Sequence, residues 1–253
     1  NSVVIEKLDN RLLLDNHNVD IEKGFFEEDA LDIVNKFVGS PSVAAIKEAI
    51  VVAGEEMISY GFTSAQTDDF SALAEGDYPL VLKAYEEMTK AKTLPLRIYH
   101  QSLLPSKELL QAYIADGYST GWGNDWFRIG PLKLLLDGSL GNRTARLTAP
   151  YKDKPGTCGV VVFDQDELNE LVQIATDHKM QVAIHAIGDQ AIIMCIEAFE
   201  NAGTDNKNIL RQGIVHCQLT SEKIINALAK QNIIAYIQPI FLDTDMDIVE
   251  KCI

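Results

Sequence analysis

QVAIHAIGDQAIIMCIEAFENAG, residues 181–203, decides the fold. Its first run, QVAIH, is short, apolar and closed by His185. AIGD then leads into a stretch of helical period that stops at Gly203. An apolar run without alternation suits a strand buried on both faces, and a strand followed at once by a helix is half of a parallel β/α crossover. A glycine closing the helical stretch is a common C-terminal stop.

The same unit recurs outward in both directions. Upstream, PLKLLLDGSL (131–140) carries Lys133 inside its apolar run; downstream, QGIVH (212–216) ends on His216. Further runs are GFTSAQ (61–66), LRIYHQ (96–101) and IIAYIQP (233–239). Helical segments lie between most of them: 42–61, 106–117, 164–179, 188–203 and 221–232. Asp164 and Glu167 stand three apart, as in a capping box, and Ser221 opens the last of these segments. Alternating strands and helices predict an α/β fold with a parallel sheet and right-handed crossovers. Six units are present, so the expected architecture is a partial (β/α)8 TIM barrel. Residues 1–40 read differently: a strand and turn over 3–16, then an acidic connection running into a helix. They are assigned to an inserted or flanking subdomain, with 41–253 as the incomplete barrel core.

Composition narrows the function. The 253 residues suit one barrel or two small domains, and 47% hydrophobic content is ordinary for a folded chain. With 37 acidic against 22 basic residues the formal charge is −15, and no basic tract stands out, so nucleic acid is not an expected partner. No apolar run reaches membrane-spanning length and no leader pattern opens the sequence, so no membrane contact is expected. Cys158, Cys195, Cys217 and Cys252 show no CxxC pairing and read as reduced thiols of a cytoplasmic protein. Asn1 is not Met and IVEKCI closes on no finishing motif, so both ends read as cut from a longer protein.

In a barrel of parallel strands the C-terminal strand ends share one mouth. Lys133, His185 and His216 therefore read as neighbours around a divalent cation, which two neutral imidazoles at equivalent strand ends would ligate. Lys133 keeps three readings: pairing with Asp137, a desolvated Schiff-base amine, or a carbamate formed with carbon dioxide. Asp137 and Asp189 stand just past strand ends, and N-capping alone would account for Asp189. Arg143 either meets a substrate carboxylate or anchors its own loop. His100 ends a third strand and would line the mouth. Cys217, next to His216, should face outward. Two long loops, 118–130 and 137–163, read as functional lids or mobile segments; the first carries Trp122 and Trp126, and Trp122 is a candidate substrate contact.

KLLLDGSLGNRTARLTAPY, VAIHAIGDQA, IVHCQL and IIAYIQPIFLDTD, with GFTSAQTDD and VVIEKLDNRLLLDN, resemble the YtcJ-like branch of the metal-dependent amidohydrolases (amidohydrolase family 3) over nearly the whole chain. The pairing of DGSLGNRTA with HAIGDQA is specific; either alone is weak. The resemblance implies a (β/α)8 barrel with a small β-rich domain and metal ions at the mouth. The resemblance implies Lys133 as the fourth-strand lysine, a position open to carbamylation, with His185 and His216 as fifth- and sixth-strand ligands. In such enzymes a metal-bound hydroxide attacks an amide or formamide-like carbonyl. Zinc is the first expectation for the metal, with iron or manganese as alternatives.

The family's first-strand His-x-His pair and eighth-strand aspartate have no counterpart here. The general base would then lie outside the chain, which would hold strands two to seven of a barrel. The expectation is an inactive piece of a C–N hydrolase acting on a small amide-type substrate. It would bind metal weakly or not at all and self-associate through exposed strand edges. Two other classes stay open: an aldolase-type barrel forming a Schiff base at Lys133, and a non-catalytic binding or regulatory module.

Overall fold

The computed structural model describes residues 39–73 and 76–253, together with 19–21, 23–26 and the single positions 5 and 34. The expected strand and turn over 3–16 lies outside the described residues. Within the acidic connection, β1 (Val19–Asp20) and β2 (Phe25–Phe26) pair antiparallel. The chain divides into two compact units, 1–98 with 125–127 and 99–124 with 128–253.

The described strands from residue 64 onward form one sheet in sequence order: β3 (Ser64–Thr67), β4 (Arg97–Leu103), β5 (Phe127–Leu135), β6 (Val182–Ala186), β7 (Gly213–His216) and β8 (Ile234–Tyr236). Pairing is parallel from β5 to β8. This is the partial α/β barrel that the repeated units predict.

In the first unit, α1 (Val43–Ser59) starts where the Ser42 hydroxyl accepts the Ala45 N–H. α2 (Tyr78–Ala91) buries Tyr78, Val81, Leu82, Tyr85 and Met88, the spacing of one helical face. Tyr85 stacks on Phe127 with ring centroids 4.4 Å apart. Each such buried side chain contributes about 1.5–3 kcal/mol relative to exposure.

In the second unit the helices are α3 (Lys107–Ala115), α4 (Gln165–Asp177), α5 (Asp189–Asn201), α6 (Glu222–Gln231) and α7 (Phe241–Cys252). The capping box at Asp164 and Glu167 is present in both directions, and Ser221 caps α6 through the Ile224 N–H. Register sorts the strands into two faces. Leu134, Ile184 and Ile214 are fully buried on the helix-facing side. Lys133 pairs with Ala183, so Lys133, Ala183 and His185 share the other side with Gly213, Val215 and Tyr236. Low on that side, Gln181 accepts from the Tyr99 hydroxyl at 2.9 Å and bonds the Tyr236 hydroxyl at 3.0 Å. Gly213 leaves room for the Tyr236 ring, which a Cβ there would approach to 2.5 Å.

Candidate metal centre

Strands β5, β6 and β7 bring Lys133, His185 and His216 into one neighbourhood. Lys133 is buried, and its charge lowers the pKa of both imidazoles. The two rings meet edge to face, centroids 4.6 Å apart at 75°. Strand geometry alone would not do this. Register pairs His216 with Ala186, whose side chain lies on the helix-facing side, and His185 with Val215. His216 and Cys217 have φ of 68° and 46°, left-handed values that non-glycine residues seldom take. That turn at the end of β7 swings the His216 ring back towards His185.

The ring nitrogens have distinct duties. A carbonyl only accepts, so His185 donates its Nε2–H to Gly138 O at 3.0 Å and keeps its lone pair on Nδ1. Gln238 hydrogen-bonds the His216 ring, whose Nδ1 is buried without a hydrogen-bond partner. Burial holds both imidazoles below their ordinary pKa; the charge of Lys133 adds to this in both, as does the neighbouring ring in His216. Two neutral imidazoles suit a divalent cation, whereas Lys133 as a charged ammonium has no lone pair and would ligate only after losing its proton. Among the described residues, no group of three or more His, Cys, Asp or Glu side chains is arranged to hold a metal ion.

Asp137 is a clamp. Its Oδ1 accepts from Ile187 N (3.0 Å), and its Oδ2 from Gly188 N (2.8 Å) and Arg146 N (2.9 Å). Oδ1 also lies 3.5 Å from His185 Nε2. Burial pushes this carboxyl above its usual range, and the three N–H donors and His216 offset that only in part.

Other candidates stand elsewhere. Asp189 is the first residue of α5, whose N-cap is Gly188; its carboxylate holds Thr148 through N (2.9 Å) and Oγ1 (2.5 Å). Arg143 anchors its own loop, donating from Nε to Asp153 (2.9 Å) and from an NH group to the carbonyls of Leu140 and Gly141 (2.8 Å each). His100 is fully buried beside Ser102, which bonds the Tyr113 hydroxyl of α3, so His100 faces the helix layer and not the mouth. Trp122 packs edge-on against Tyr118 in the loop that enters β5, and so lies at the opposite strand ends from Lys133. Cys217 is buried, and burial raises its thiol to about 11. The 137–163 loop has a core of its own: Leu140, Ala145, Leu147 and Tyr151 pack with Ile187 and Cys252. Gly138, Gln238 and Phe241 also touch the histidines, and sequence reading did not single them out.

A profile of the amidohydrolase family matches residues 11–252. The chain belongs to the amidohydrolase family. It is 31% identical over 222 residues to the putative amidohydrolase YtcJ of Bacillus subtilis (strain 168), covering 88% of this chain and 40% of that protein. Protein LONG AFTER FAR-RED 3 of Arabidopsis thaliana is 28% identical over 238 residues, 90% of this chain and 40% of that protein. An uncharacterized metal-dependent hydrolase from Pyrococcus furiosus superposes with a TM-score of 0.76 at 28% identity, over 96% of this chain and 50% of that one. A second, from Pyrococcus horikoshii OT3, gives 0.74 at 26%, over 95% and 47%. This amidohydrolase chain thus spans 40% of the curated relatives it matches.

Proposed function

We propose that this chain supplies the Lys133, His185 and His216 side of a metal centre in a hydrolase of amide or formamide-like C–N bonds. The observation that carries the reading is the pair of neutral imidazoles held face to edge, with one buried nitrogen of His216 lacking a partner. An unsatisfied buried polar atom costs about 1–3 kcal/mol, which a cation there would relieve. The two Pyrococcus proteins it resembles are metal-dependent hydrolases, which supports the reading. Zinc is the first choice, with iron or manganese next. A divalent cation supplies Lewis acidity towards a carbonyl when bound.

The chain's own residues prepare the site. Gly138 fixes the His185 tautomer, Asp137 holds the loops around it, and burial keeps both rings unprotonated. Lys133 would contribute as a carbamate: its Nζ bonds the carbon of carbon dioxide and releases a proton. The general base would come from outside this chain, which would be inactive alone. Four free thiols support a cytoplasmic location. Among the described residues no helix is long and apolar enough to cross a membrane.

Zinc titration of the 253-residue chain tests this. The expected result is at most one weakly held ion, lost in His185→Gln and in His216→Gln; two tightly held ions would overturn it. Amide hydrolysis by a longer protein containing this chain should vanish with His185→Gln. We further propose that the chain self-associates, with β3 and β8 as the edges of the described sheet. Sedimentation should then show mass rising with concentration, and a strictly monomeric species would refute it.

A further inference from the structure

A cavity of about 360 Å³ opens beside His216. Its walls are Ile237, Leu242, Met246 and Val249, with Phe241 tilted over the His216 ring at 5.9 Å. Of its polar lining side chains, Gln218 and Asp245 are joined by a 2.8 Å hydrogen bond from Nε2 to Oδ2, and Gln238 bonds the His216 ring. Among the described residues, no lining side chain is a lysine or arginine.

We propose that this cavity selects substrates whose carbonyl carries an uncharged apolar substituent, such as the amide of a medium-length acyl chain. The inference rests on the hydrolase reading for the carbonyl and adds what the carbonyl is attached to. Four observations favour that occupant. The cavity adjoins the imidazole pair, so a group seated in it has its carbonyl next to the site. Its lining is mainly aliphatic, and each methylene that enters strengthens binding about fourfold. The Asp245 carboxylate, with no cation in the lining, disfavours a substituent ending in a negative charge. The volume falls near the low end of small-molecule pockets, which fits a chain of a few carbons and not a large ring system.

Met246 offers a direct readout. The chain labelled with 13C-methyl methionine is titrated, metal-free, with acetamide, butanamide, hexanamide and hexanoate; Met246→Leu assigns the signal. Hexanamide should shift the Met246 methyl saturably, with affinity falling through butanamide to acetamide. Met88 and Met180, buried elsewhere, should not move. Leu242→Trp, at a position 69% exposed, should fill the cavity and remove the shift without harming the fold. An unmoved Met246, or a hexanoate shift as strong as that of hexanamide, overturns the proposal. Turnover of hexanamide by a longer protein is scored separately. A Met246 shift without turnover keeps the cavity assignment and removes the hydrolase reading; turnover without a shift does the reverse.

Discussion

The His216 ring lies 4.6 Å from that of His185, although the sheet register pairs His216 with Ala186. Two successive residues in left-handed conformation bring this about. Each costs about 1–2 kcal/mol for a residue with a Cβ. Cross-links from the following loop hold the turn: Cys217 N donates to Ala186 O at 3.1 Å and Leu219 N to Ile187 O at 3.0 Å. Backbone strain of this kind, retained next to ionisable groups, is characteristic of functional positions.

His216→Gly should therefore leave stability nearly unchanged. Relief of about 1–2 kcal/mol of strain opposes roughly 0.5–1 kcal/mol of added chain entropy and the lost ring contacts. Urea unfolding checks this, and a loss well above 2 kcal/mol would show that the turn is not strained.

Asp137→Leu should be severe. It leaves the N–H groups of Arg146, Ile187 and Gly188 without their acceptor. Each abandoned buried donor costs about 1–3 kcal/mol, so a loss of roughly 3 kcal/mol or more is expected in the same assay. Asp137→Asn keeps one acceptor oxygen and should fall between wild type and Asp137→Leu.

Gly188→Ala tests the close approach of two loops. A Cβ at 188 would sit 1.9 Å from Arg146 O, a backbone atom that cannot swing aside. Overpacking of this kind costs about 1–3 kcal/mol. The 145–149 amides should also lose hydrogen-exchange protection, whereas unchanged protection would mean that the loops part freely.

The pH dependence of stability has a defined sign. His185 and His216 titrate lower in the folded chain than the ordinary value of about 6.5. Between the two values the unfolded chain binds more protons, so stability rises with pH and is lost as pH falls from about 6.5 towards the folded values. Asp137, raised in the fold, contributes stability as pH drops through its folded value, which opposes the histidines at more acid pH. The urea midpoint should decline from neutral pH to about pH 5, and a His185→Gln, His216→Gln double variant should flatten that decline.

Much of this was legible in the amino-acid string because it is local. Strand-end histidines follow from QVAIH and QGIVH, and helix starts follow from Ser106, Asp164 and Ser221, whose side chains do cap. What escaped depends on contacts distant in sequence. β5 begins at Phe127, inside what read as a loop, because Phe127 and Ile129 are buried around an exposed Arg128 and alternate too briefly to stand out. Trp122 looked like a lid residue only while that strand was given a late start. The 137–163 loop read as a functional lid or mobile segment, yet its apolar residues find Ile187 and Cys252 far along the chain. No residue pattern announces the left-handed turn at His216, since neither glycine nor asparagine is there.

One carboxylate gathers amides from the segment after β5 and from the β6–α5 connection, and its residue adjoins the carbonyl that orients His185. The loops around the histidines are consequently tied together at one side chain. Leu242 and Met246 of α7 line the cavity beside His216 but take no part in that knot, so the cavity wall can vary in sequence while the loops beneath it stay tied.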